Sequence, residues 1–271
     1  MRSTRPLLGT YVTIEVRGAN EAQASVAVNA AFAEIALVQR LMSAFELDSD
    51  VNNINHHAHL GPVQVHGWTA EVLRLAQELH HDSEGLFDCG VAPKLAAWGM
   101  LPPTTIDYQE SSIANLRISD EDVVSCNKPT RIDLGGIAKG YAVDRATEAA
   151  LKAGAVSVIV NAGGDLRVAG EIEEPIYIRD PATPGQFIFA GTLKDGAMAS
   201  SATYFSREEK NGQMVSAIVN PISKNALISD NSYSVIAPKC VIADALTKVL
   251  ALTGRHDMAC FSRYDAHPLI V

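Results

Sequence analysis

The sequence predicts an α+β fold in which helices pack against antiparallel or mixed sheets. Helical and strand-like patterns both occur along the 271 residues, but they do not alternate regularly. A doubly wound parallel sheet is therefore not expected, because that architecture requires alternating strands and helices. A composition of 47% hydrophobic and 20% charged residues is ordinary for a chain that buries a sizeable core. No internal repeat is visible, and we expect a single domain over residues 1–271.

The first third of the chain predicts one strand and two helices. Residues 10–17 alternate polar and apolar side chains, which is typical of a half-buried strand. Residues 48–62 are polar and rich in turn-forming residues, which predicts a loop. A second helix is predicted from about Thr69 to His81. Between the strand and the loop, a long amphipathic helix is predicted by apolar residues at helical spacing: Ala27, Ala31, Ile35, Val38, Leu41 and Met42.

The rest of the chain predicts strands and two more helices. Residues 101–125 are rich in Pro, Thr, Asp and Ser, which predicts an irregular segment with a short strand or two. A third helix should begin near Gly136, with Gly154 as a suitable C-cap. Residues 156–171 have the pattern of strand, glycine turn and strand, and residues 240–254 predict the last helix. Further strand-like runs are residues 176–180, 187–193, 214–219 and 232–237.

Charge and targeting patterns limit the partners. The formal net charge of −9 argues against a general surface for nucleic acid or anionic membranes, although it is compatible with a local basic pocket for phosphate. The N-terminus has no apolar signal-peptide region and no lipobox-like cysteine, and no run looks long enough to span a bilayer. We therefore expect a cytoplasmic protein, or a periplasmic one if a leader has been removed.

Cysteine and histidine patterns give no metal site. The cysteines are far apart and lack zinc-type spacing, so they are expected to be small buried side chains: Cys89, Cys126, Cys240 and Cys260. The histidine clusters at residues 56–59 and 80–81 lie in polar or helix-end segments. Surface histidines are a better interpretation there than transition-metal ligands.

The stretch IDLGGIAKGYAVD, residues 132–144, is the first of two glycine turns. It fits neither the P-loop nor the G-x-G-x-x-G motif. Gly135 and Gly136 nevertheless let backbone approach a ligand closely, and the helix N-terminus behind them favours negative charge. Asp133, at the end of a predicted strand, would accept hydrogen bonds, and Lys139 would offer a cation to phosphate. The alternative is a tight strand-to-helix turn capped by Asp133, with Lys139 in solvent.

The stretch NAGGDLRVAG, residues 161–170, poses the same choice. Gly163 and Gly164 belong either to a ligand site or to a simple hairpin turn with Asp165 at its polar tip. Taken alone, the residues leave both alternatives open.

Six blocks, in order along nearly the whole chain, resemble the FAD:protein FMN transferase family, also known as the ApbE-like proteins. They are LLGTYVTI, LMSAFELDSDVNNIN, FDCGVAPKLAAWG, IDLGGIAKGYAVD, NAGGDLRVAG and ADALTKVLALTG. The two glycine turns agree almost letter for letter, whereas Leu8 stands in the first block where the family has methionine. No single block is decisive, but six in register are specific.

The resemblance implies a fold, an activity and a ligand. The family splits FAD with Mg²⁺ and attaches FMN through a phosphoester to a Thr or Ser of a target flavoprotein. Its α+β fold surrounds a flavin-dinucleotide cleft, so that FAD as substrate and an acceptor flavoprotein are the implied partners. The implied FAD-binding residues are Leu8, Phe45, Phe87, Asp88, Cys89, Asp133, Gly135, Lys139, Gly163, Gly164, Asp165 and Ile218. The implied metal ligands are the carbonyl of Gly136, Asp244 and Thr247.

One departure from the family pattern falls on the metal site. The family has a threonine four residues after its metal-binding aspartate, whereas this chain has Lys248, and its threonine is one residue early at Thr247. Asp244 and Lys248 share one helix face, so the ammonium would either repel a divalent ion or replace it by neutralising a diphosphate. Alternatively, the register slips by one residue and Thr247 still reaches the metal. The Mg²⁺ requirement is therefore open.

Two more departures fall on the transfer chemistry. The family's His-x-x-Asp-Pro segment is AIVNP here, so Ala217 and Asn220 replace residues that would supply an acid or base. Ala202 replaces a glycine of a Thr-Ser-Gly-x-Tyr turn, and Ser-Lys at 223–224 replaces Thr-Gly. No catalytic residue is assigned from the sequence. The hypotheses are a transferase, an FAD-binding relative with reduced or no activity, and a structural relative that binds no flavin.

Overall fold

The computed structural model describes residues 1–183, 185–204, 206–210 and 212–271. The helices of these residues are α1 (Glu21–Met42), α2 (Asp50–His57), α3 (Gly67–Asp82), α4 (Ala92–Ala97), α5 (Ala138–Lys152), α6 (Cys240–Thr253) and α7 (Ala259–Arg263). The strands are β1 (Arg2–Leu7), β2 (Thr10–Arg17), β3 (Val63–Gln64), β4 (Leu116–Ile118), β5 (Val123–Cys126), β6 (Ser157–Ala162), β7 (Asp165–Gly170), β8 (Glu174–Arg179), β9 (Phe187–Leu193), β10 (Gly196–Ala202), β11 (Glu208–Lys210), β12 (Gln213–Val215), β13 (Ser232–Ala237) and β14 (His267–Ile270).

The central feature is a sheet with the strand order β1-β2-β6-β7-β10-β13-β14. Every neighbouring pair in it is antiparallel. The described residues also form three smaller sheets: β3-β5-β4, β8-β9 and β11-β12. This antiparallel order, with helices inserted between groups of strands, confirms the predicted α+β class.

The two faces of the central sheet belong to different apolar clusters. In β6, Val158 and Val160 belong to the main core, which includes residues of α1, α5 and α6. Ile159, between them, belongs to a second cluster with Ile176 and Ile178 of β8. Because neighbouring strand residues point to opposite faces, helices cover one face and the β8-β9 hairpin packs on the other.

Helix α1 packs its apolar face into the main core. Its buried residues are Ala24, Ala27, Val28, Ala31, Phe32, Ile35, Val38 and Met42. Asn20 caps the helix, because its side-chain oxygen accepts a hydrogen bond of 2.9 Å from the Gln23 N–H. By length and composition alone, α1 could also cross a membrane. The expectation that no run reaches that length was therefore wrong.

The predicted loop over residues 48–62 was also wrong, because α2 occupies its first half. Ser49 caps this helix by accepting a hydrogen bond of 3.1 Å from the Asn52 N–H. Asn52 and Asn55 are 9% and 2% exposed, so they are inward-facing residues despite their polarity. A polar composition was misleading here because these amides are satisfied by backbone groups inside the protein.

Other predictions agree with the described structure. The four cysteines are buried and unpaired, and residues 101–125 contain the short strand β4, part of β5 and a 3₁₀ turn at Ile113–Asn115. Gly154, the suggested C-cap of the third helix, lies one residue after the C-cap residue Ala153 and has a left-handed φ of 96°. The last helix ends as expected at Gly254, which has φ of 63°. The predicted strand over 214–219 is shorter than expected, because β12 ends at Val215. His56 and His57 are exposed, as expected.

Helices α5 and α6 approach each other closely at Gly140. A Cβ atom there would lie 2.4 Å from the carbonyl oxygen of Cys240 and 2.8 Å from Cβ of Asp244. Both distances are shorter than van der Waals contact, so a side chain at 140 would push the helices apart. The glycine allows these two helices to meet.

We therefore expect Gly140→Ala to destabilise the protein. Alanine gains about 1 kcal/mol of helix propensity over glycine, but the clash with α6 backbone outweighs it, leaving a net loss of about 1–3 kcal/mol. Urea unfolding measures this change. Gly61→Ala is the control, because a Cβ there meets no atom within 4 Å, and its effect should stay within about 0.5 kcal/mol. Equal stability of the Gly140→Ala variant and the parent would contradict the packing described.

Candidate functional site

The segment that leads into the first glycine turn is extended backbone held by side chains, and Asp133 does not end a strand as predicted. Asn55 of α2 forms two hydrogen bonds with Ile132, accepting its N–H at 2.8 Å and donating to its carbonyl at 3.0 Å. The N–H of Asp133 donates to the carbonyl of Cys89 at 2.9 Å. These contacts fix the carboxylate of Asp133 beside Gly135.

Gly135 is required by the Asp133 carboxylate. Its N–H donates to Asp133 Oδ2 at 3.0 Å, and a Cβ at 135 would lie 2.8 Å from the same oxygen. Burial raises the pKa of Asp133, although the Gly135 hydrogen bond acts in the opposite direction. The first turn thus combines bare backbone with a carboxylate, as the sequence suggested.

The second glycine turn joins β6 to β7. Gly163 and Gly164 have φ of 64° and 107°, the left-handed region in which glycine is favoured. A Cβ at Gly163 would also lie 2.6 Å from the hydroxyl of Thr10. Asp165 is not the polar tip of this turn, because it is only 2% exposed. Its carboxylate points instead toward Lys139.

Lys139, in the first turn of α5, links the two glycine turns. Its ammonium forms an ion pair with Asp165 and lies 3.7 Å from Oδ2 of Asp244 on α6. Burial acts to lower the pKa of Lys139, but the two carboxylates outweigh burial and raise the pKa above its usual value. Lys139 is therefore charged at neutral pH, and it is not the solvated lysine of the alternative interpretation.

Asp165 and Asp244 have pKa values shifted in opposite directions. Burial and the charge of Asp244 raise the pKa of Asp165 to about 6, against the opposing effect of Lys139. Burial acts on Asp244 as well, but Lys139 and Lys248 outweigh it and lower the pKa of Asp244. The cations therefore keep Asp244 ionised at the bottom of the site.

Both carboxylate oxygens of Asp244 have protein partners. Lys248 forms an ion pair with Oδ1 and also donates to the Asp244 carbonyl at 2.9 Å. Oδ2 accepts a hydrogen bond of 3.0 Å from the N–H of Gly140 and faces Lys139. Both oxygens thus already have strong partners.

Helix α6 is held in place by Asp144 of α5. Its carboxylate accepts hydrogen bonds of 2.9 Å from the N–H groups of Cys240 and Val241, the first residues of α6. Arg167 of β7 donates to the same carboxylate at 2.8 Å. Because a carboxylate at a helix N-terminus stabilises that end, Asp144 fixes the start of the helix that carries Asp244.

Two adjoining cavities form the candidate site, which we call the cleft. The α6 lobe, of about 430 Å³, is bordered by Lys248 and Phe87. The α1 lobe, of about 410 Å³, is bordered by Leu8 and Met42. The residues common to both lobes are Phe45, Asp133, Gly135 and Lys139. An elongated ligand could therefore reach from one lobe to the other past Lys139.

Most residues predicted to bind FAD line this cleft. Those at the α6 lobe are Phe45, Phe87, Asp88, Cys89, Asp133, Gly135, Lys139, Gly163 and Ile218. Leu8 lines the α1 lobe, whereas Gly164 lines an adjoining cavity of about 920 Å³ beside β8 and β9. That cavity shares Gly163, Ser200, Ser201 and Ala202 with the α6 lobe. Asp165 lies beneath the cleft and contacts it through Lys139. Phe45 is 68% exposed, so its ring face is open to a planar partner.

Asp88 and Cys89 are at the cleft wall but have structural roles there. Asp88 accepts hydrogen bonds from the N–H groups of Gly90 at 2.7 Å and Ile113 at 2.8 Å. Burial raises the pKa of Cys89 well above its usual value, and Asp88 and Asp133 add to the effect. The thiol is therefore unreactive at neutral pH.

The residues implied for Mg²⁺ do not form an open donor set. Thr247 is fully buried, and its hydroxyl bonds to the Asp244 carbonyl and to the Ser201 hydroxyl, each at 2.7 Å. With both Asp244 oxygens engaged, the Gly136 carbonyl would be the remaining donor. Mg²⁺ requires near-octahedral oxygen coordination, and no cluster of three His, Cys, Asp or Glu suited to a metal occurs in the part of the chain described. As arranged, these residues do not fit the ion.

The departures from the family pattern have local explanations. Ala217 lines the α6 lobe and provides no titratable group. Asn220 caps a turn, accepting the N–H groups of Ile222 and Ser223 at 2.9 Å each. Ala202 ends β10 in extended backbone, so no loop rearrangement is needed there. Lys224, where the resemblance implies glycine, retains a left-handed φ of 60°.

Sequence reasoning missed several residues that build the site. Asn55 was assigned to a loop, and Gly140 and Asp144 were treated as ordinary helix residues. Ser201 lines the α6 lobe and anchors Thr247, a role that its local sequence does not indicate. A glycine inside an otherwise helical pattern, as at Gly140, is the one indication that the sequence offered.

The structure is that of an α+β protein in which two glycine turns border a two-lobed cleft. Residues 8–267 match the ApbE family, and this chain belongs to that family. The FAD:protein FMN transferase of Rhodobacter capsulatus is 29% identical over 268 residues, covering 93% of this chain and 51% of that protein. The FAD:protein FMN transferase of Haemophilus influenzae is 27% identical over 240 residues, covering 80% of this chain and 69% of the relative. This chain spans about half the length of the Rhodobacter protein.

Solved structures support the same fold. The crystal structure of the ApbE protein from Thermotoga maritima has a TM-score of 0.84 and 25% identity, covering 100% of this chain and 94% of that one. The flavin transferase ApbE from Vibrio cholerae has a TM-score of 0.81 and 22% identity, covering 100% and 92%. The predicted family and α+β architecture are both confirmed.

Replacing Lys139 should destabilise the fold, because buried carboxylates lose their cation. We expect Lys139→Met to lower the free energy of unfolding by about 3 kcal/mol, because it leaves Asp165 buried without its cation. The loss should be larger at pH 8 than at pH 5. In the parent the pKa of Asp165 is about 6 beside Lys139, so the ion pair that the variant lacks exists at pH 8 and is largely protonated away at pH 5. Denaturant unfolding at both pH values measures the effect.

Two further variants make this prediction specific. Adding Asp165→Asn to Lys139→Met should recover part of the stability, because the unpaired charge is removed. Lys128→Met is the control, since its partner Glu110 is at the surface with a side chain 81% exposed, and no measurable change is expected. A Lys139→Met effect that is small and independent of pH would contradict the assigned ion pair.

Proposed function

We propose that this chain is an FAD:protein FMN transferase with FAD as substrate and a flavoprotein as acceptor. One observation carries the proposal: both glycine turns of the family pattern border one cleft, and Lys139 lies where its two lobes meet. FAD is an elongated molecule with a diphosphate between two ring systems. Its shape and charge suit a cleft with a lobe at either end and the Lys139 ammonium where the lobes meet.

The relatives support this proposal in part. The Rhodobacter and Haemophilus proteins named FAD:protein FMN transferase match 93% and 80% of this chain. They are longer than this chain, and their sequence identity is modest. The activity and the acceptor therefore belong to the proposal, and the acceptor is described only as a flavoprotein that presents a Thr or Ser.

The proposed reaction transfers a phosphoryl-linked flavin. The hydroxyl oxygen of the acceptor bonds to the FMN phosphorus of FAD, and the bond from that phosphorus to the bridging oxygen breaks. AMP leaves with the bonding electron pair, and the hydroxyl proton passes to water, because Ala217 and Asn220 supply no acid or base. Lys139 and Lys248 would stabilise the charge that develops on the diphosphate oxygens. The resemblance also implied Mg²⁺, but the engaged oxygens of Asp244 do not support a metal in this step.

A second candidate function is an FAD-binding protein without transfer. It is favoured by Ala217 at the cleft, where the family pattern has a histidine. Such a protein would bind FAD as tightly as the transferase would, but no AMP would be released. The two candidates therefore differ in product formation and not in ligand binding.

We expect purified protein, FAD and a flavin-acceptor domain to give an acceptor heavier by one FMN, with an equal amount of AMP. Intact-mass spectrometry and nucleotide chromatography measure the two products. Lys139→Met should reduce the rate at least about tenfold, because one charged hydrogen bond to the diphosphate is lost. Lys152→Met is the matched control on the same helix, since Lys152 is exposed at its last turn. FAD binding without adduct or AMP would leave the binding protein as the function.

A further inference from the structure

Lys248 has a position that the sequence alone did not define. Its ammonium contacts two oxygens of Asp244, a carboxylate oxygen and the backbone carbonyl. Its side chain is 20% exposed and borders the α6 lobe of the cleft. Helix α6 thus holds the Lys248 ammonium through Asp244, and the part of the side chain that borders the cleft is open to a ligand.

The Lys248 side chain also lies against the first glycine turn. A Cβ atom built on Gly136 would be 3.5 Å from Cε of Lys248 and 3.8 Å from the ring of Phe87. Gly136 and Asp244 are two of the residues that the family resemblance implied as metal ligands. Lys248 therefore lies close to both of these residues.

The charges beneath the cleft are balanced without a metal. Asp165 pairs with Lys139, and Asp244 pairs with Lys248 while also facing Lys139. Two carboxylates and two ammonium groups cancel, so an added divalent cation would meet two cations already bound to its ligands. An incoming diphosphate, by contrast, would meet both ammonium groups, with Asp165 and Asp244 behind them.

We propose that the Lys248 ammonium is a built-in cation that takes the place of a divalent metal at the diphosphate of FAD. This inference rests on the proposed function for the identity of the ligand. It assigns Lys248 as a residue that contacts the diphosphate directly. It also means that FAD binding and transfer proceed without Mg²⁺.

The first experiment is a titration of FAD into the protein, followed by flavin fluorescence, in EDTA and in millimolar Mg²⁺. The dissociation constant should agree within twofold between the two conditions. Loss of FAD binding in EDTA, with recovery in Mg²⁺, would overturn the inference.

The second experiment restores the threonine of the family pattern. Lys248→Thr should weaken FAD binding in EDTA at least about tenfold, because a charged hydrogen bond is removed. Mg²⁺ should recover that loss, since the variant frees Asp244 Oδ1 and adds a hydroxyl at 248. Lys239→Met is the matched control, because Lys239 is an exposed lysine just before α6, and its binding should be unchanged in both conditions.

The Lys248→Thr variant is expected to fold. Asp244 keeps its hydrogen bond from Gly140 and its approach to Lys139, and circular dichroism with urea unfolding checks this. A folded Lys248→Thr variant that binds FAD like the parent in EDTA would contradict the assignment. Lys248→Arg provides a second variant, which retains a cation and should remain independent of Mg²⁺.

Failure of this inference is separable from failure of the proposed function. FMN transfer that requires Mg²⁺ would support the transferase and contradict the role of Lys248. Metal-independent FAD binding without any transfer would support the role of Lys248 and contradict the transferase.

Discussion

The contact between α5 and α6 at Gly140 is the constraint on which the rest of the site depends. Each helix provides a carboxylate for backbone N–H groups of the other. Asp144 on α5 accepts the first N–H groups of α6, and Asp244 on α6 accepts the N–H of Gly140. This exchange is possible only because position 140 has no side chain. The helices are thereby fixed at a distance where their charged residues meet.

That contact explains why two ammonium groups lie beside the cleft. Lys139 directly precedes Gly140, and Lys248 lies one turn beyond Asp244, so both ammonium groups lie near the Asp244 carboxylate. Asp165, after the second glycine turn, holds Lys139 from the opposite side. A buried carboxylate that lost its cation would cost several kcal/mol, so the pairs fix one another. The result is a neutral cluster whose cations face the cleft.

The local patterns of the sequence were sufficient for helices α1, α3, α5 and α6, for the glycine turns and for the pairing of Asp244 with Lys248, which follows from their spacing of four residues on one helix. Contacts between distant segments were not predictable in this way. The hairpin alternative places Asp165 at a turn tip because its neighbours are glycines, but its carboxylate pairs with Lys139, which lies 26 residues away. Asn55 was expected in a loop because α2 is polar, and its role depends on Ile132, 77 residues later. In both cases a polar side chain is buried because it has a hydrogen-bonding or ionic partner that lies far away in the sequence.

The central claim is that two lysines, Lys139 where the lobes meet and Lys248 in the α6 lobe, serve the diphosphate of a dinucleotide without a metal. Diffraction from crystals soaked with FAD and Mn²⁺ tests it most directly, because manganese gives an anomalous signal where a divalent ion binds. The account predicts FAD density across both lobes, its diphosphate in contact with Lys139 and Lys248, and no anomalous peak between Asp244 and the Gly136 carbonyl. A manganese peak at that position, with Lys248 displaced from Asp244, would contradict it.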